Sequence, residues 1–212
     1  MLDTIAHSKL RPAQYMADMD AFREACGGAL TGTYHCVLPM GTTVIFDMTT
    51  GELFNGEGVV IGGQEHLHEE FRLLCQELMA AGEAAAQARP YAMPLAFEGV
   101  LLRSKDGMGY FQIVDMHHES LSLWQQINVL NDLFSVLEKR IPHLRYSQHN
   151  PTSALKSAGQ VKRWLAPWRK PGIAGVLIKK AEYMAGPCGL GESDMAENHA
   201  DMSRAACLIR CR

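Results

Sequence analysis

The sequence predicts an α+β fold, an antiparallel sheet of about five strands in the order helix, three strands, helix, two strands, helix. Three observations carry that expectation. Short segments rich in β-branched residues recur between Gly and Pro turn signals. Two long apolar stripes at helical spacing interrupt them. The chain of 212 residues, 47% hydrophobic and 20% charged, lies in the globular range and is long enough to bury a core.

Pro12 stands where a first helical turn tolerates proline, and Tyr15, Met16, Met19 and Phe22 follow at helix-like spacing up to Gly27-Gly28. Thr33 to Leu38 and Thr42 to Met48 read as strands separated by Pro39-Met40-Gly41, and Thr49-Thr50-Gly51 turns the chain into a third, Glu52 to Ile61. Leu67, Phe71, Leu74, Cys75, Leu78 and Met79 form one stripe, an amphipathic helix from about residue 64 to the alanine-rich stretch before Arg89. Leu95 to Ser104 and Met108 to Asp115 form a hairpin across Asp106-Gly107. Ser120 can cap a helix running to about Arg140, with Leu123, Trp124, Ile127, Leu130, Phe134 and Leu137 on its apolar face. Beyond Pro142, two short helices are expected at residues 153–165 and 173–185.

Charge divides the chain more sharply than composition does. Residues 1–138 carry 7 Lys/Arg against 18 Asp/Glu, whereas residues 139–186 carry 10 Lys/Arg against the single Glu182, inside a net charge of −3. The predicted organisation is an acidic α+β domain over 1–141, a basic Trp-containing arm over 142–186 and a mobile tail over 187–212. No run approaches the ~18 apolar residues of a membrane span, and no signal peptide is read. Six cysteines without a CxxC pattern suit reduced thiols in a cytoplasmic protein.

The element order over residues 13–141 resembles the class I type III secretion chaperones, small acidic cytosolic proteins of bacteria. The likeness rests on Thr43-Val44-Ile45-Phe46-Asp47-Met48 turning through Thr49-Thr50-Gly51, the Asp106-Gly107 hairpin, and a long closing helix after His117-His118-Glu119. The resemblance implies a homodimer whose apolar grooves hold an extended segment of a secreted effector. A peptide can cover such apolar surface by groove filling or strand addition. Phe46, Leu53, Phe71, Leu78 and Phe111 are the candidate partner-binding or core residues.

Two other readings come from the residues themselves. Arg145, Lys156, Lys162, Arg163, Trp164, Trp168, Arg169, Lys170, Lys179 and Lys180 interleave cations with indoles, a pattern that suits phosphate neutralisation and base stacking by a nucleic-acid-binding arm. The same arm could instead dock on the acidic domain. His66, His68, His117 and His118, with carboxylates adjacent, could supply a hydrolytic metal site, though surface histidines near helix starts give the same pattern. No phosphate-binding glycine loop, G-x-S-x-G elbow or H-E-x-x-H helix occurs. That favours a binding protein without cofactor, an adaptor or chaperone, over an enzyme.

Overall fold

Asp18 begins the described structure by capping a short helix: its carboxylate accepts the N–H groups of Asp20 at 2.9 Å and Ala21 at 3.1 Å, which starts α1 (Met19–Ala25). The computed structural model describes residues 17–84, 93–104, 107–118, 121–181 and 206–211. After α1 come β1 (Thr33–Pro39), β2 (Thr42–Asp47), β3 (Glu52–Asn55), α2 (Glu65–Ala84), β4 (Ala96–Arg103) and β5 (Gly109–His117). The chain continues through α3 (Leu123–Leu137), β6 (Leu144–Tyr146), β7 (Asn150–Pro151), α4 (Ala158–Leu165), a 3-10 turn (Ala166–Trp168), β8 (Ile173–Lys180) and β9 (Ala206–Arg210).

The α+β class holds, with two sheets in place of one. The first has the order β7-β1-β8-β9 and the second the order β3-β2-β4-β5-β6. All neighbours are antiparallel except β5 and β6, which run parallel. Of the three strands expected to pair in sequence, β2 and β3 do so, with β4 on the other side of β2, but β1 does not join them: it pairs with β8 from Thr33 opposite Lys180 to Pro39 opposite Ile173. The chain changes sheets at Met40-Gly41, and a Cβ on Gly41 would sit 2.5 Å from the Val100 side chain and 2.7 Å from the Leu101 carbonyl oxygen. Only glycine lets β2 leave β1 that close to β4.

The stretch expected as a basic arm therefore supplies β7 and β8 to the sheet that β1 begins, and residues 206–210 of the expected tail complete it as β9. The helix expected at 173–185 is β8. Its buried run Gly175 to Lys179 has apolar neighbours on both faces, which removes the alternation that marks a half-exposed strand. Of the expected start of α1, Tyr15 and Met16 lie outside the described residues, as do Ser120 and the tail cysteine Cys188. α3 begins instead at Ser122, whose backbone N–H donates to the Gln125 side-chain oxygen at 2.9 Å.

Three apolar layers hold these elements. Beneath the second sheet, α2 and α3 bury an aromatic stack in which Phe71 lies 4.1 Å from Phe46, 5.1 Å from Phe97 and 5.0 Å from Phe111 between ring centroids. Phe46, Leu53, Phe71, Leu78 and Phe111 all belong to this layer at 0–2% exposure, so they build the core and line no groove. Between the sheets, Cys36 and Leu177 meet Val100, Val114 and the α3 residues Leu123 and Ile127. On the outer side of the first sheet, Phe22, Leu30, Val161 and Leu165 cover Val176, Ile178 and Cys207.

Candidate functional site

Alternation along the first sheet sends Leu38 of β1, Gly175 of β8 and Leu208 and Arg210 of β9 toward the second sheet. There, where the chain crosses at Met40-Gly41, the two sheets part and leave a cleft of about 370 Å³. Its lining includes Leu38, Met40, Ile173 and Leu208 with Val100 and Thr43 from the second sheet, and its polar residues are Thr43 and Arg210. Gly175 lies opposite Arg210 in register, and a Cβ there would come within 2.6 Å of the Ile209 carbonyl oxygen. The lip is fixed by a hydrogen bond from the Met40 N–H to the Gly172 carbonyl at 2.8 Å, which places the loop carrying Arg169 and Lys170 beside it.

The closed end of the same inter-sheet space is charged. Lys179, fully buried, donates to the Val114 carbonyl at 3.1 Å, pairs with the Asp115 carboxylate and lies 3.1 Å from His149 Nε2. The ammonium leaves Nε2 as acceptor, so the imidazole proton sits on Nδ1, 3.1 Å from the Tyr146 hydroxyl. Burial pushes the Asp115 carboxyl up while Lys179 opposes it, and burial together with the Lys179 charge holds His149 well below the usual histidine range. Glu98 and His117, 3.4 Å apart, extend the network across β4 and β5. Burial also raises the Tyr146 hydroxyl and pushes the Cys36 thiol up to about 12. Apart from Tyr146, which is half-buried, these groups are buried and clasp the two sheets together.

The expected site residues fall in several places. Trp164 and Trp168 pack against His35 at 4.9 and 5.3 Å between ring centroids, so the indoles are part of the cover over β1 and are not free for bases. Lys179 is the buried clasp, and Lys180 is half-buried at the end of β8. Arg145 lies over the Tyr110 ring at 5.2 Å, and Lys156, Lys162, Arg163, Arg169 and Lys170 are exposed. The four candidate metal histidines scatter: His66 Nε2 lies 2.9 Å from the Gly109 carbonyl, His68 packs on Phe46, His117 faces Glu98, and His118 is buried. Among the described residues no group of three or more His, Cys, Asp or Glu side chains is placed to hold a metal.

Sequence reasoning missed the cleft because its walls come from positions 38–43, 100, 173–174 and 208–211 and are mostly hydrocarbon. It also missed a fixed histidine. Glu70 accepts the backbone N–H groups of His143 at 2.9 Å and Leu144 at 3.0 Å, and its other oxygen lies 2.6 Å from His143 Nδ1.

No family model and no curated relative matches the chain. Solved structures do. A Lig E DNA ligase studied for DNA binding with a minimal scaffold superposes with a TM-score of 0.54 at 13% identity, over 94% of this chain and 68% of that one. The ligase Pmar-Lig PreS3 gives 0.55 at 12% identity over 96% of this chain and 46% of its own. The ATP-dependent DNA ligase of bacteriophage T7, in complex with ATP, gives 0.53 at 10% identity over 85% and 66%. The chain thus spans from about half to two thirds of these ligases. This likeness overturns the type III secretion chaperone resemblance and the adaptor reading built on it, along with the effector partner; neither the arm-borne accessory reading nor the metal hydrolase reading matches it, and a homodimer is not shown. Antiparallel strands interleaved with amphipathic helices do not by themselves fix which strands pair, and here the strands divide between two sheets. At these identities the likeness shows the fold alone, an arrangement of two sheets and their helices shared with these ligases.

Proposed function

We propose that this chain is a nucleic-acid-handling protein built on the ligase core, and that it engages a nucleic-acid strand at the mouth of the cleft between its two sheets. The observation that carries this reading is the superposition of 94% of the chain on a DNA ligase by a fold whose cleft lies at the sheet crossing. The electrostatics agree. Arg210 lines the cleft, and Arg169 and Lys170 are exposed on the loop bonded to its lip, giving phosphates three cations close to one opening. Most of the acidic half of the sequence forms the second sheet with α2 and α3, and its charge disfavours nonspecific wrapping of the whole surface.

Fluorescence anisotropy with labelled nicked duplex, intact duplex and single strand tests this reading on the full chain. Binding is expected at low salt and should weaken steeply as salt rises, since each neutralised phosphate releases a counterion. Reversing Arg169 and Lys170 to glutamate should lower affinity for every ligand. Failure of all three nucleic acids to bind at low salt sinks the proposal.

A further inference from the structure

Outside the cleft, polar side chains converge at the corner where the start of α2 meets β6, the edge strand of the second sheet. Glu70 of α2 takes the backbone N–H groups of His143 and Leu144 on one oxygen, and its other oxygen lies 2.6 Å from His143 Nδ1. That contact puts a ring proton on Nδ1 and leaves Nε2, on the far side of the ring, without a hydrogen-bond partner among the described residues. His66 packs edge-on against the same ring at 4.8 Å between centroids, and its own Nε2 is tied to the Gly109 carbonyl at 2.9 Å. Gly109 permits that approach, since a Cβ there would overlap the Gln64 side chain just ahead of α2. A half-buried imidazole locked by such neighbours, with one nitrogen left over, is oriented to meet a ligand from solvent.

Tyr110 brings a cation to the same place. Its ring lies 5.3 Å from the His143 ring, and the Arg145 guanidinium lies over it at 5.2 Å. The acidic residues at the start of α2 leave that cation available: Glu70 is spent on His143 and two amides, Glu69 pairs with Arg72 at 3.0 Å, and Glu65 is exposed to solvent. An anion would meet the exposed guanidinium, the Tyr110 hydroxyl and, once the imidazole is protonated, an Nε2–H whose opposite nitrogen already donates to Glu70.

Strand register relates this corner to the cleft. Thr43 and Val100 line the cleft and lie opposite each other, Val100 lies opposite Gln112, and Gln112 lies opposite Arg145. Residues in one such row share a face of the sheet, so Arg145 stands on the cleft side, two strands or roughly 10 Å from Val100. We propose that His143 and Arg145 form a second phosphate site, outside the cleft, that takes a backbone phosphate of a nucleic-acid strand, an inference that rests on the proposed nucleic-acid-handling role. A strand lying along this row meets the cleft mouth and the corner together.

The test uses the full chain throughout. Titration with a short single strand, followed by NMR of the histidine side chains, should move the His143 signals and leave those of the buried His149 in place. Arg145→Gln should weaken strand binding about threefold or more and flatten the slope of log affinity against log salt by about 0.7, the counterion share of one single-strand phosphate. Arg145 is exposed, so this variant should keep the urea midpoint of the original. Inorganic phosphate, titrated separately, distinguishes the sources: His143 signals that move with phosphate alone and stay still with the strand overturn the assignment to a strand. Strand binding with unmoved His143 signals, and with affinity and salt slope unchanged in Arg145→Gln, overturns this inference and leaves the proposed function standing. No strand binding by the unaltered protein at low salt overturns both.

Discussion

Replacing Lys179 by methionine is the sharpest probe of how the two sheets are held. Lys179 and Asp115 are both fully buried, and the ammonium also donates to the Val114 carbonyl at 3.1 Å. Methionine matches much of the lysine stem but leaves the Asp115 carboxylate without its cation. Breaking a buried pair from one side costs about 3–5 kcal/mol, because the surviving charge stays desolvated. For a protein of this size each kcal/mol lowers Tm by roughly 2–4 °C, so the midpoint should fall by about 6–20 °C. Urea unfolding followed by circular dichroism measures the loss directly. Replacing both partners, Lys179→Met with Asp115→Leu, should recover most of it, since no buried charge then remains. A single Lys179→Met protein within ~1 kcal/mol of the original would refute the clasp, because it would show that Asp115 is content without its cation.

Four further outcomes follow. Phe71→Ala removes the ring at the centre of the aromatic stack and should cost about 3–5 kcal/mol in the same urea assay. Glu70→Ala strips the acceptor from the His143 and Leu144 amides and should cost about 1–3 kcal/mol per amide left unsatisfied, with His143 amide exchange speeding up by NMR. Cys36, Cys75 and Cys207, each held up to about 12 by burial, should resist alkylation at pH 8 until urea unfolds the chain. Stability should fall with acid through His149: its folded pKa is depressed, so below about 6.5 the unfolded chain takes up a proton that the folded chain refuses, costing up to about 1.4 kcal/mol per pH unit. Asp115, raised by burial, acts in the opposite sense, so the comparison is with His149→Gln, whose stability should depend less on pH over that window; an unchanged slope refutes the assignment.

Much of the second sheet was legible because its signals are local. The stripe Leu67, Phe71, Leu74, Leu78 predicts α2, and Asp106-Gly107 predicts the β4–β5 hairpin. The first sheet was illegible for the opposite reason. β1 finds its partners about 115 to 145 residues away in β7 and β8, and no local pattern encodes so distant a pairing. β8 reads as a helix or a strand equally well by periodicity, although Gly172 and the run Val176-Leu177-Ile178 carry a strand signal in their turn and β-branched chemistry. The charge asymmetry was real in sequence and misleading in space: the basic stretch is half of a sheet, and one of its lysines is a buried partner of an aspartate from the acidic half.

That placement explains why one space can be apolar at its mouth and charged at its base. Along the inner face of β8 the residues run Gly175, Leu177, Lys179, one every other position. Gly175 gives room at the cleft, Leu177 joins the inter-sheet layer, and Lys179 meets the second sheet through Asp115. The charges are affordable only at the closed end, where each finds a partner; the same lysine moved two positions toward the mouth would sit among Val100, Val114 and Leu123, with nothing there to pair it. Separating the sheets to expose more of the cleft would therefore break the Lys179 contacts before it disturbed the aromatic core under α2. A ligand that fits the mouth without prising the sheets apart is therefore favoured over a larger one.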